Sequence, residues 1–195
     1  GVTLVFMDQP ANDLEAGKDY VSVVSADNYG NGVASAHILA NSIGKKGKIA
    51  ALYHDADFFV TEQRYEGFKK TIEEEYPDIQ IIAEKGVSDS DLVAQSQQQA
   101  DAIINQNPDL AGMWAPWDVP AEGVMAAARS AGRNDLKITT IDLGESVGVA
   151  MAQNQLISGT SAQRPYDQGV TEAKIAAGAR VLGKTYPTYV ALSAL

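Results

Sequence analysis

Short apolar runs alternate with longer stretches of helical periodicity from one end of the chain to the other. The runs VTLVFM (2–7), YVSVVS (20–25), KIAALY (48–53), IQIIAE (79–84), LAGMWA (110–115), KITTI (137–141), LISGTSA (156–162) and TYVAL (188–192) have the length and β-branched content of strands. Between most of them the apolar positions recur every three to four residues, which predicts helices over 30–43, 60–76, 91–106, 119–131, 144–153 and 166–182. Gly44, Gly132 and Gly183 stand where three of these helices should stop. A regular βαβα alternation implies an α/β fold, with a parallel sheet covered by helices on both faces. No low-complexity linker interrupts it, and the βα beat is its only repeat.

Composition narrows the class without changing this picture. With 195 residues, 45% of them hydrophobic, the chain suffices for one domain or one and a half, with a sizeable core. A net charge of −10 argues against nucleic acid or an anionic membrane as the main partner, because phosphate binding draws on surplus Lys and Arg. The absence of cysteine removes disulfides, thiolate nucleophiles and Cys-type zinc sites, and leaves the compartment open. No apolar run is long enough to cross a bilayer, and no signal peptide is visible. Because the sequence opens directly on a strand-like run, it is expected to begin inside a longer protein.

In such a sheet the ligand crevice lies beyond the carboxyl ends of the strands, so the residues just after each strand carry the functional information. They are Asp8 and Gln9; the loop HDADFFVTEQR ending in Arg64; Ser88, Asp89, Ser90 and Asp91; Pro116, Trp117 and Asp118; Asp142; and Gln163 in SGTSAQRPYDQG. Pro165 fits the first turn of a helix and puts Gln163 at the strand's open end. Carboxylates, an arginine, amides and an indole on one edge suit a sugar or polyol. Each hydroxyl both donates and accepts, charged groups give directed bonds, and an aromatic face covers the C–H side of the ring.

Each of these residues also has a plainer reading. Asp142 would cap the following helix, Arg64 would be a solvated residue paired to Glu62 or Glu66, Trp117 would be a core aromatic, and Gln163 would satisfy strand backbone. Asp27-Asn28 reads as a helix cap and hinge element. His54-Asp55-Ala56-Asp57 is a poor zinc or calcium signature, and Phe58 and Phe59 in the same loop are expected to wall the cleft. No nucleophile elbow, Walker loop or dinucleotide fingerprint is present. No cofactor is implied.

The segments VFMDQP, SADNYGNG, RYEGF, NPDLAGMWAPWDVPAEGVMAAARSAGR, ITTIDLGE and GTSAQRPYDQG together resemble the type I periplasmic sugar-binding proteins, the ribose-binding-like receptors of ABC importers. The resemblance covers nearly the whole chain. It implies two similar α/β lobes closing over a sugar in the cleft between them, with residues 1–25 a first-lobe strand and hinge crossover. Residues 26–163 would form the second lobe, and 164–195 the hinge, a first-lobe helix and a terminal strand. It also implies that the front of the first lobe and the last hinge-crossing segment are missing here.

By the same resemblance Asp8 is the carboxylate ending a first-lobe strand, and Gln9 replaces the arginine of ribose-binding proteins, which argues against ribose itself. Arg64 is the sugar-clamping arginine, Asp142 the second-lobe carboxylate and Gln163 the hinge-side amide. Trp117 stands where ribose-type receptors carry a polar amide, and Asp91 or Ser90 falls near a position that packs over the sugar.

The function implied is a non-enzymatic solute receptor delivering a sugar or polyol to an ABC importer permease. Such a receptor is a monomer when full length, periplasmic or lipid-anchored outside a Gram-positive cell, with no nucleic-acid partner. The alternative is the effector-sensing domain of a LacI-type transcription regulator, and a third class, a flavodoxin-like enzyme, lacks its nucleophile and phosphate loop.

Overall fold

In the computed structural model, which describes residues 1–88 and 90–194, the expected alternation is present. The elements run β1 (Val5–Met7), β2 (Ser22–Ala26), α1 (Asn28–Ser42), β3 (Gly47–His54), α2 (Phe59–Glu75), β4 (Ile79–Val87) and α3 (Leu92–Gln106). They continue with β5 (Leu110–Trp114), α4 (Asp118–Ser130), β6 (Lys137–Ile141), α5 (Glu145–Ala152), β7 (Ile157–Ser161), α6 (Pro165–Leu182) and β8 (Tyr189–Leu192). The chain divides into two compact units. Residues 1–28 and 163–195 form unit 1, and residues 29–162 form unit 2.

Unit 2 is built on a five-stranded parallel sheet of order β4-β3-β5-β6-β7. Strand β3 shows why both faces must be covered. Its Ala50 and Leu52 enter one apolar cluster with Ile103 of α3, Val124 of α4 and Val147 of α5, while Ile49 and Ala51 enter the other with Leu39 of α1 and Phe68 of α2. The period of two along the strand thus distributes its side chains between two helical layers. Phe68 stacks on Trp114 with centroids 4.6 Å apart, and Trp114 donates its indole N–H to Ser35 Oγ at 2.9 Å. Of the two tryptophans, Trp114 is the core residue.

Unit 1 holds a three-stranded parallel sheet of order β1-β2-β8 with α6. Pro165 opens α6 and Gly183 closes it with φ 61°, a backbone position that a Cβ disfavours.

Element ends differ from the sequence expectation where pairing or capping overrides apolar pattern. Strand β4 runs on past Glu84 through Lys85 and Gly86 to Val87 because β3 pairs with it along that length; as an edge strand it tolerates polar side chains. Strand β1 is shorter than its apolar run, since only Val5–Met7 pair with β2. Helix α1 starts two residues early, at Asn28, whose side-chain amide donates to Ser25 Oγ and Ala26 O.

Candidate ligand-binding site

At the carboxyl end of the unit 2 sheet the chain brings together three segments distant in sequence. Arg64 lies in the second turn of α2, almost fully buried. Its Nη1 donates to Asp142 Oδ2 at 2.8 Å and to Pro116 O at 3.1 Å. The Asp142 side chain remains 23% exposed against 3% for Arg64, so the open side of the pair is the carboxylate. Arg64 is therefore a buried, charge-paired residue rather than a solvated one.

Two features of the backbone hold this pair. Asp142 has φ 70°, a left-handed conformation that Asp tolerates better than most residues, and its N–H donates to Ser161 O of the neighbouring strand at 2.8 Å. The N-cap of α5 is Gly144, so Asp142 is not spent on capping that helix. Arg64 is fixed by a close crossing of α1 and α2. A Cβ on Gly32 would stand 2.1 Å from Arg64 O, and one on Gly67 would stand 2.2 Å from Tyr29 O, so only glycine allows the helices this near.

Around the pair are groups of different character. Trp117 sits at the N-cap position of α4, half-buried, with its ring edge-on to His54 at 5.0 Å. Asp118, the first residue of α4, accepts from its neighbour Val119 N at 3.0 Å. Burial, and after it the Asp142 charge, raise its carboxyl above the usual carboxylate range. The loop after β3 opens a groove of about 630 Å³ lined by Tyr53, His54, Asp55, Asp57, Glu62 and Tyr65. Phe58 and Phe59, from the same loop, are 36% and 39% exposed. Among the described residues no group of three or more His, Asp or Glu is disposed to hold a metal ion.

Unit 1 carries a second polar group at the end of β1. Asp8, like Asp142, follows its strand with positive φ, 63°, and its N–H donates to the adjacent strand, at Val24 O. Its Oδ1 accepts from Ser25 Oγ and from Gln168 Nε2, both at 2.9 Å. Glu172, one turn further along α6, has its carboxyl raised by burial and then by the Asp8 charge. Gln9 adjoins Asp8, and Gln163 lies just before α6, both partly buried.

The arrangement thus unites Arg64 and Asp142, with Trp117 and Asp118 on the next helix. Asp8, Gln9 and Gln163 belong to the other unit. Asp91 caps α3, accepting from Ala94 N at 3.0 Å, and is exposed; Asp89 of the same loop lies outside the described residues. Sequence reading assigned no role to His54, Gln168 or Glu172. Gln168 is 160 residues from the carboxylate it bonds, and no local pattern marks such a pair.

Comparison with known proteins gives a consistent set of matches. Residues 1–184 match the family described as Periplasmic binding protein domain. The D-apiose import binding protein of Actinobacillus succinogenes is 27% identical over 76% of the chain and 47% of its own length. The Ribose operon repressor of Halalkalibacterium halodurans is 31% identical over 58% of the chain and 33% of its own length. An ABC transporter solute binding protein from Agrobacterium vitis, bound with alpha-D-tagatopyranose, superposes with a TM-score of 0.83 at 25% identity, over 97% of the chain and 64% of its own. The chain spans about half the length of the first of these relatives and a third of the second.

Proposed function

The chain belongs to the periplasmic binding protein domain family, and from that premise we propose that it captures a sugar or polyol and delivers it to an ABC-type membrane importer. The observation that carries this reading is the Arg64–Asp142 pair: a buried cation holding a half-open carboxylate at a strand end. Such a pair offers a hydroxyl both a donor and an acceptor in one fixed geometry. Trp117 supplies an apolar face beside it.

In this reading Arg64, Asp91, Asp142 and Trp117 of unit 2 bind the ligand, as do Asp8, Gln9 and Gln163 of unit 1. The protein acts as a monomer in the periplasm, or lipid-anchored outside a Gram-positive cell, and its partner is the importer's permease. The names of the apiose and tagatose relatives support a sugar; which one is set by hydroxyl stereochemistry at the pair.

A thermal-shift screen of the full-length protein against pentoses, hexoses, polyols and amino sugars tests the proposal. A ligand bound only by the native state at a hundred times its Kd stabilises it by about 2.7 kcal/mol, a shift of several degrees. No shift with any of them would refute a sugar receptor.

The repressor relative favours one other reading, the effector-sensing domain of a transcription regulator of the LacI type. The parent reading frame separates the two: a signal peptide ahead of this sequence supports the transporter receptor, and a helix-turn-helix headpiece supports the regulator.

A further inference from the structure

In unit 2 the strand order β4-β3-β5-β6-β7 reverses between β3 and β5, and open parallel sheets bind ligands at that switch point. Two aromatic side chains meet there. His54 ends β3, Trp117 follows β5, and their rings are 5.0 Å apart at 78°, an edge-to-face contact.

The imidazole itself is held. His54 Nδ1 lies 3.0 Å from Thr61 Oγ1, and Thr61, nearly fully buried, gives its single hydroxyl hydrogen to Phe58 O at 3.0 Å. A hydroxyl with its proton already committed can only accept, so Nδ1–H is the donor and the ring is pinned to the first turn of α2. The Phe58 ring adds an edge contact to His54 at 6.3 Å. Among the described residues no hydrogen bond fixes the Trp117 indole. The ring contact that the indole makes there is the edge-to-face one with His54.

We propose that His54, anchored by Thr61, is a positioning residue that fixes the tilt of the Trp117 indole, and through that tilt selects which face and which epimer of a sugar ring can stack there. The selection step rests on the sugar-receptor reading above; the fixing of the indole does not. His54 ends β3 and Trp117 caps α4, so the two rings are brought together from separate segments of the chain.

The test uses the ligand-free full-length protein. Trp117 and Trp114 are the two tryptophans of the chain, and the near-ultraviolet circular dichroism of an immobilised indole is lost when it becomes free to rotate. His54→Ala and His54→Asn should each lower the Trp117 band at least twofold. Asn can still donate to Thr61 but has no ring edge. Thr61→Val should give a smaller loss in the same direction. Repeated in a Trp117→Phe background, where the remaining indoles report, all three should leave the signal unchanged. An unaltered band in His54→Ala, or a loss that persists without Trp117, overturns the proposal; the second outcome also identifies a variant that has merely lost its fold.

Affinities for D-ribose, D-allose and D-arabinose complete the test. His54→Ala should change their ratios at least fivefold when Trp117 is present and not at all when it is Ala. Ratios that shift equally in both backgrounds overturn the selection step. A coupled indole signal with no sugar bound leaves the fixing of Trp117 intact and refutes the receptor reading instead.

Discussion

Removing either member of the Arg64–Asp142 pair should be destabilising, and the two removals should be unequal in a predictable order. At 2.8 Å and an effective dielectric constant of about 20, the attraction is roughly 6 kcal/mol gross, most of it spent on desolvating the two ions. What a substitution costs depends on the partner left behind. Arg64→Met leaves Asp142, 23% exposed, which recovers part of its loss from water and should cost about 1–2 kcal/mol. Asp142→Asn removes the carboxylate charge 2.8 Å from a guanidinium that is 3% exposed and draws little help from water, and should cost about 2–4 kcal/mol even though the amide can still accept. Asp142→Ala should add about 1 kcal/mol more, because Ala tolerates the φ of 70° less well than Asn. Urea unfolding followed by tryptophan fluorescence reports on unit 2, where both indoles lie, and the midpoints at constant m give the differences. The order Asp142→Ala, Asp142→Asn, Arg64→Met, from most to least destabilised, is expected. Arg64→Met proving the costliest would refute the argument that the buried cation is the dependent partner.

Other consequences follow from the surroundings of the pair. Asp118 holds its proton more tightly when folded, so the stability it contributes is complete below the unfolded carboxyl range and is lost as pH rises through its raised folded pKa. Asp118→Asn should therefore melt higher than the parent at pH 7, with the gap closing towards pH 3; a lower melting point at pH 7 would contradict this. Gly67→Ala drives a Cβ to within 2.2 Å of the Tyr29 carbonyl, a backbone atom that cannot turn aside. It should cost about 1–3 kcal/mol in denaturant despite the better helix propensity of Ala, and a neutral result would mean that α1 and α2 can part freely.

The architecture was legible in the sequence because its signals are local. The apolar runs of β3 and β5 are buried on both faces and read as continuous, and helix stops such as Gly183 announce themselves by residue type. Edges were harder. Strand β4 ends in Lys85, Gly86 and Val87, beyond its apolar run, and only its pairing with β3 makes those residues a strand. For the site, the rule that ligand groups follow strands drew attention to Arg64 and Asp142. What it could not give was their mutual burial, which depends on the Gly32 and Gly67 crossing and on a left-handed turn at Asp142. His54 drew notice only as part of a poor metal signature, because its contact is with Trp117, 63 residues away by the numbering, at the sheet's reversal point.

Titration calorimetry of the full-length protein with the sugar giving the largest thermal shift tests the central claim most directly, when Arg64→Ala and Asp142→Ala are titrated beside it. Each charge-assisted bond to a buried hydroxyl contributes about 1.5–3 kcal/mol, so each variant, shown folded by its circular dichroism, should bind at least tenfold more weakly than the parent. Folded variants that bind the sugar as tightly as the parent would contradict the claim that this pair is where the ligand is held.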